Sequence, residues 1–374
     1  MGKNSVVPFV VSGVVLLLAL TGCVAPSPPP SNSVAPSPAS PTAELSSAPA
    51  SRFDVVCADL VTAGELEAVF GPTNYQPRTN WLPSLSPVKY AVQNTGGVSC
   101  TWGNDDVPVG GVANRAYQEL TVQVLPDANA AQLERHTGDD PLDDSPAFGD
   151  TSSTRCVGSI RLCTSNIVVG DAWIDVFVDG VAVAEPAADA DVTAIVAPVL
   201  TAITSRMSVA ANNVAPTAAI DARTDCDVIL PAETVQSVFE AAELPGYSIY
   251  NGGGWSVMTG AATLAGVTRC MVGPSGSDAM LANLEMLPHG AWALSAAEVE
   301  RGVWDNHEAV SVAGVTEQSY LVCPVGAISA CSVDFVVGDA WVRLGTFIDG
   351  QNPVSAPDPG KVLELAGYVA STLK

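Results

Sequence analysis

Nothing limits the folding of this chain more than the spacing of its cysteines. Setting aside Cys23, they fall at 57, 100, 156 and 163, then at 226, 270, 323 and 331. The gaps are 43, 56 and 7 in the first set and 44, 53 and 8 in the second. Two nearly identical rulers laid end to end predict a duplicated unit. An independent mark agrees with them: "VVGDAW" is written at Val168 to Trp173 and again at Val336 to Trp341, with Gly170 and Gly338 each seven residues past the preceding cysteine. Between the last two cysteines Val157-Gly158-Ser159-Ile160 matches Val325-Gly326-Ala327-Ile328, so the extra residue of the second set is Pro324.

Four cysteines per unit allow three pairings. The short gap suits adjacent rungs of a hairpin or local loop, so the expected bridges are Cys57 with Cys100, Cys156 with Cys163, Cys226 with Cys270, and Cys323 with Cys331. Loop closure would make each long bridge worth roughly 4 kcal/mol and each short one about 2.5 kcal/mol. A zinc site fits poorly. No CxxC pair is present, and His136, His289 and His307 do not recur between the units, so neither a metal nor another cofactor is expected.

Periodicity fills in the elements between the cysteines. Leu66, Val69 and Phe70 lie 9, 12 and 13 residues past Cys57, and Val235, Val238 and Phe239 lie at the same offsets past Cys226. That spacing lines one helical face. Thr62 with Glu65 forms a capping box for the first helix, Gly71 stops it, and Pro231 suits the first turn of the second. "LTVQVLP" from Leu120 and "LANLEMLP" from Leu281 read as strands, each followed by an Ala-rich stretch of helical character.

"NIVVGDAWIDVFV" alternates about Gly170-Asp171, the two-residue turn of a hairpin whose first position needs glycine. Gly338-Asp339 repeats it, and Trp173 and Trp341 are expected to cover the core beside a disulfide. Amphipathic helices at Asp189 to Met207, with Pro198 expected to kink it, and at Asp358 to Leu373 close the two units. The order helix, strands, helix, hairpin, helix predicts an α+β fold, with helices packed on an antiparallel sheet in each of two tandem domains, 53–207 and 226–374, joined by a linker at 208–225.

Ahead of the domains the chain reads as an export leader. The apolar run Val6 to Leu20 is too short to cross a bilayer stably, and it ends in Leu20-Thr21-Gly22-Cys23. This ending resembles the bacterial lipobox, which implies a signal peptide over 1–22 and a diacylglyceryl group on Cys23. The myristoylation pattern fails at Val6. Residues Val24 to Arg52 hold eight prolines and eight serines, too little apolar surface to bury, and read as an extended spacer reaching at most roughly 90 Å. The expected place is the extracytoplasmic face of a cell membrane, held by lipid, where disulfides persist.

The formal charge of −24 excludes nucleic acid as a partner, since such a surface repels phosphate. The lipobox, the Ser/Pro spacer, "CADLVTAGELEAVFG" from Cys57, "CTW" from Cys100 and the late cysteine before "GDAWIDVFV" resemble the extracytoplasmic lipoproteins of actinobacteria that carry domain of unknown function 3558. The second unit matches with "CDVILPAETVQSVFE" but has "CMVG" where the first has "CTW". The resemblance implies an envelope lipoprotein and brings no catalytic residues with it.

Residues that would carry chemistry are not apparent. "GWSVM" and "GPSGS" miss the serine nucleophile elbow, and no HExxH, phosphate loop or dinucleotide fingerprint appears. The acidic run "GDDPLDDSP" (138–146) lacks the alternate spacing of a calcium loop. The expectation is therefore not an enzyme. It is a lipid-anchored, non-catalytic binding or interaction module of the cell envelope, whose partner is an envelope protein, a small ligand or a wall component. The alternative is an exported hydrolase with a family-specific catalytic set. Trp255 and Trp304, peculiar to the second unit, are the expected contact residues, because aromatic side chains anchor interfaces.

Overall fold

The computed structural model describes residues 47–78, 86–104, 115–127, 147–208, 225–243, 245–247, 256–273, 280–301, 307–323, 331–347 and 358–374. Cys23, Trp255, Trp304, the acidic run 138–146 and the 209–224 portion of the expected linker lie outside them. Residues 45–374 form one compact unit.

The first half opens with α1 (Cys57–Leu60) and α2 (Ala63–Phe70). Thr62 closes the capping box at the start of α2: its hydroxyl accepts from the Glu65 amide, and the Glu65 carboxylate accepts from the Thr62 amide. Gly71 stops the helix at φ 79°, where a side chain would be strained. A 3₁₀ turn at Pro87–Tyr90 leads into α3 (Ala91–Asn94). Then come β1 (Val98–Gly103), β2 (Glu119–Leu125), β3 (Thr151–Val157), β4 (Leu162–Val169), β5 (Ala172–Asp179) and α4 (Asp189–Met207).

In the second half α5 (Cys226–Ile229) and α6 (Ala232–Phe239) precede β6 (Gly246–Tyr247), α7 (Val257–Leu264), β7 (Thr268–Gly273), β8 (Met280–Leu287) and α8 (Ala291–Arg301). The chain finishes with β9 (His307–Val310), β10 (Ser319–Val322), β11 (Ser332–Val337), β12 (Ala340–Phe347) and α9 (Pro359–Thr372). Pro231 stands just outside α6 as its cap and not within the first turn. Its ring restricts φ there all the same.

The fold is mixed α+β, and both sheets are antiparallel. The first has the order β1-β2-β5-β4-β3, and the second β6-β7-β8-β12-β11-β10-β9. The five strands β7-β8-β12-β11-β10 thus follow the same path as the whole first sheet, with β6 and β9 added at the edges. All four bridges form with the expected partners: Cys57–Cys100, Cys156–Cys163, Cys226–Cys270 and Cys323–Cys331. Cys156 and Cys163 are directly opposed on β3 and β4, so the seven-residue gap is a hairpin closed upon itself.

Each half has its own core between one sheet face and its long helix. In the first, Leu120, Val122, Val124, Ile174, Val176 and Val178 meet Val192, Val196, Val199 and Ile203 of α4. In the second, Leu284, Val333, Phe335, Val342 and Leu344 meet Val362, Leu365 and Val369 of α9. Among the described residues α4 is the one helix long and apolar enough to cross a membrane, yet its apolar stripe is spent on the sheet. It continues unbroken past Pro198. Its last turn is tied to α2 by Arg206, whose two Nη atoms donate to the Glu65 carboxylate at 2.8 and 2.9 Å. Burial raises the Glu65 pKa, but the arginine and the Thr62 donors outweigh it and hold the group below the usual glutamate value.

Candidate functional site

A third apolar cluster belongs to neither half. Tyr90, Val92, Leu125, Val168 and Trp173 from the first pack with Val257, Ala261, Leu287, Leu294, Val336 and Trp341 from the second. Strand alternation explains which side chains go there. On β5, Ile174, Val176 and Val178 fill the first core, so Trp173, of opposite parity, faces away from it. On β12, Val342 and Leu344 fill the other core and Trp341 faces away. The two tryptophans therefore do not cover the disulfide-bearing cores, as the sequence suggested. They line the seam between the halves, and no cysteine belongs to that cluster.

Tyr90 closes the seam. Its ring meets Trp341 edge-on at 5.5 Å and Trp292 at 6.0 Å, contacts worth about 0.5–1.5 kcal/mol each beyond area burial. Polar groups fix the fit. Buried Asn94 donates to the Pro288 carbonyl at 3.0 Å and accepts from Trp292 Nε1 at 3.2 Å. The hairpin glycines, Gly170 at φ 58° and Gly338 at φ 62°, are there for their backbone, since a Cβ on either would touch nothing.

One step along each strand from the tryptophans lies a polar row. In the second sheet Arg269, Glu285, Arg343 and Asp334 stand opposite one another on β7, β8, β12 and β11, so the charges alternate across four strands. Asp334 is fully buried. It accepts from Trp341 Nε1 at 2.9 Å and from Arg343 Nη2 at 3.0 Å, while Arg269 reaches Glu285 at 3.6 Å. The same row in the first sheet reads Ser99, Gln123, Asp175, Asn166. Asn166 accepts from Trp173 Nε1 at 2.9 Å, so the amide replaces the carboxylate where no arginine stands beside it.

Asp175 takes the arginine's place in that first row, and its cation comes from elsewhere. It is half-buried on the sheet, and desolvation by the surrounding protein pushes its pKa up to about 6, against the pull of the Lys89 ammonium. Lys89 is itself held below the usual lysine value by burial, offset by Glu285, Glu119 and Asp175 and reinforced by Arg269. One lysine on the 3₁₀ turn thus faces carboxylates of both sheets. The charged groups thus lie beside the aromatic contacts that join the two halves.

No family model, curated protein or solved structure matches the chain. Among the described residues no group of three or more His, Cys, Asp or Glu is arranged to hold a metal ion. The eight paired cysteines stand where the sequence put them, whereas Cys23, Trp255 and Trp304 fall outside the described residues. The seam itself was missed, although the parity of Trp173 against Ile174, Val176 and Val178 was a signal for it.

Proposed function

We propose that the chain is a lipid-anchored, extracytoplasmic, non-catalytic binding module of the cell envelope, built by tandem duplication of one α+β unit. The observation that supports this most is the use to which the repeated residues are put. "VVGDAW" supplies the two hairpins and the two seam tryptophans, and the repeated cysteines brace the two cores, so what recurs is framework. Four disulfides agree with an oxidising compartment, and the lipobox-like ending at Cys23 agrees with an anchor. The resemblance to actinobacterial envelope lipoproteins points the same way. Surfaces that differ between the halves are then where a partner would be chosen.

Two measurements test the proposal. Cys23→Ser should move the protein into the soluble fraction or block its maturation; a variant still membrane-bound after a high-salt wash speaks against the anchor. Cross-linking of the full chain in its own envelope should recover a discrete partner. Recovery of none, together with reproducible turnover of a hydrolase substrate panel, would replace the binding module with an enzyme.

A further inference from the structure

Three of the large apolar side chains that the fold leaves exposed gather on the second half: Val228 at 55%, Tyr247 at 40% and Tyr368 at 37%. Val228 is on α5, Tyr247 on the edge strand β6 and Tyr368 on α9, and α5 packs against α9. The Tyr247 hydroxyl donates to the Leu230 carbonyl just past α5 at 2.9 Å, which pins its ring beside that helix. Asp227, Glu233 and Tyr368 are all close enough to act on this hydroxyl. Glu364 lies one turn before Tyr368 and so shares its face of α9.

Asp227, Glu233 and Glu364 are exposed, and among the described residues none of the three pairs with a cation. Lys361, on the same helix, is already engaged with Glu240 at 3.2 Å. Among the described residues the first half exposes two large apolar side chains, Val56 at 62% and Ile160 at 58%, and neither is aromatic. The turn after Cys57 carries Ala58 and Asp59 where the turn after Cys226 carries Asp227 and Val228.

We propose that this face, Val228, Tyr247 and Tyr368 rimmed by Asp227, Glu233 and Glu364, docks a basic, Lys- or Arg-bearing segment of a protein partner. The proposal rests on the binding-module reading and names its surface. Long basic side chains lay their aliphatic stems on apolar ground while the charged head stays hydrated or pairs. Tyrosine faces attract cations directly, and tyrosines are among the residues that dominate interface energy. The uncompensated carboxylates supply the complementary charge and exclude acidic partners.

The test must separate this face from the general attraction of a chain at −24 for anything basic. A fluorescein-labelled peptide, Lys-Leu-Lys-Leu-Lys-Leu-Lys, is titrated into the detergent-solubilised full chain at about 0.15 M salt, where long-range attraction is screened beyond about 8 Å. Tyr368→Ala, Tyr247→Ala and the pair Asp227→Asn/Glu233→Gln should each weaken binding about tenfold, the size of a single hot-spot contact. Asp59→Asn, on the other half, should leave it unchanged, with circular dichroism confirming the fold of each variant. Equal weakening by Asp59→Asn, no effect of the tyrosine variants, or no binding to the unmodified chain overturns the docking face. None of these touches the binding-module reading, which fails separately if cross-linking in the envelope recovers no partner and the chain turns over a hydrolase substrate panel.

Discussion

The two halves carry the same row of the sheet next to the same tryptophan, and they fill it in opposite ways. In the second, Arg269, Glu285, Arg343 and Asp334 compensate one another within one sheet. In the first, Ser99, Gln123 and Asn166 are neutral, and the single charge, Asp175, looks to Lys89 on the turn before α3. A sheet that balances its own charges needs nothing from its neighbour. A sheet that leaves one charge over depends on a loop, and here the same lysine also faces Glu285 of the other sheet. Register between the halves is thereby written in electrostatics as well as in aromatic packing.

The largest effect should come from the seam's aromatic centre. Trp341→Ala removes a fully buried indole from both Tyr90 and Asp334 and is expected to cost about 3–5 kcal/mol in urea unfolding. A loss below about 1 kcal/mol would mean that the indole packs against little.

Next, Asp334→Ala and Asn166→Ala set the two rows directly against each other. The first takes a fully buried carboxylate from both the Arg343 guanidinium and the Trp341 N–H and should cost about 3–5 kcal/mol. The second removes a neutral acceptor of the Trp173 N–H and should cost about 1–3 kcal/mol. Equal losses would erase the distinction between the halves.

The pH dependence sharpens the same contrast. Burial pushes the Asp175 pKa up to about 6 in the folded chain from the ordinary aspartate value of 3.8, so between those limits the folded chain keeps a proton that the unfolded chain has lost. Its stabilising contribution is complete below 3.8 and is lost as pH rises through about 6. Asp175→Asn should therefore raise the urea midpoint most above pH 6, with the gain shrinking toward acid. Lys89→Met removes the attraction that holds the value down, so the carboxyl resonance of Asp175 should titrate higher still. A titration unmoved by Lys89→Met would uncouple the turn from the row. The smallest effect is local: Thr62→Ala breaks the α2 capping box at about 1 kcal/mol, with no change in the seam.

How far the fold could be read from sequence follows the range of each signal. Cysteine gaps, the Leu66/Val69/Phe70 face, the Gly170-Asp171 turn and the Asp189–Met207 helix are local patterns, and the α+β fold and the four bridges followed from them. The seam is assembled from residues far apart in the chain. Tyr90 meets Trp341, and Arg269 and Asp334 share a row, and no window of the sequence places such residues side by side. Trp173 was misassigned for a different reason: its size suggested a core position, whereas its parity, shared with Asp175 and opposed to Ile174, put it on the other face. The docking face is a third case. Tyr247 reaches the Leu230 carbonyl just past α5 only in the folded chain, and the expected contact residues Trp255 and Trp304 lie outside the described residues.

If the seam joins the halves into one body, they must unfold together. Native-state hydrogen exchange in increasing urea would follow amides of β2 and β5 in the first half and of β8 and β12 in the second, with and without Tyr90→Ala. One shared unfolding free energy, lowered by the same amount in both sheets when Tyr90 is removed, is the expected result. Two separate free energies, with Tyr90→Ala changing the first half alone, would show two independent domains and contradict the account.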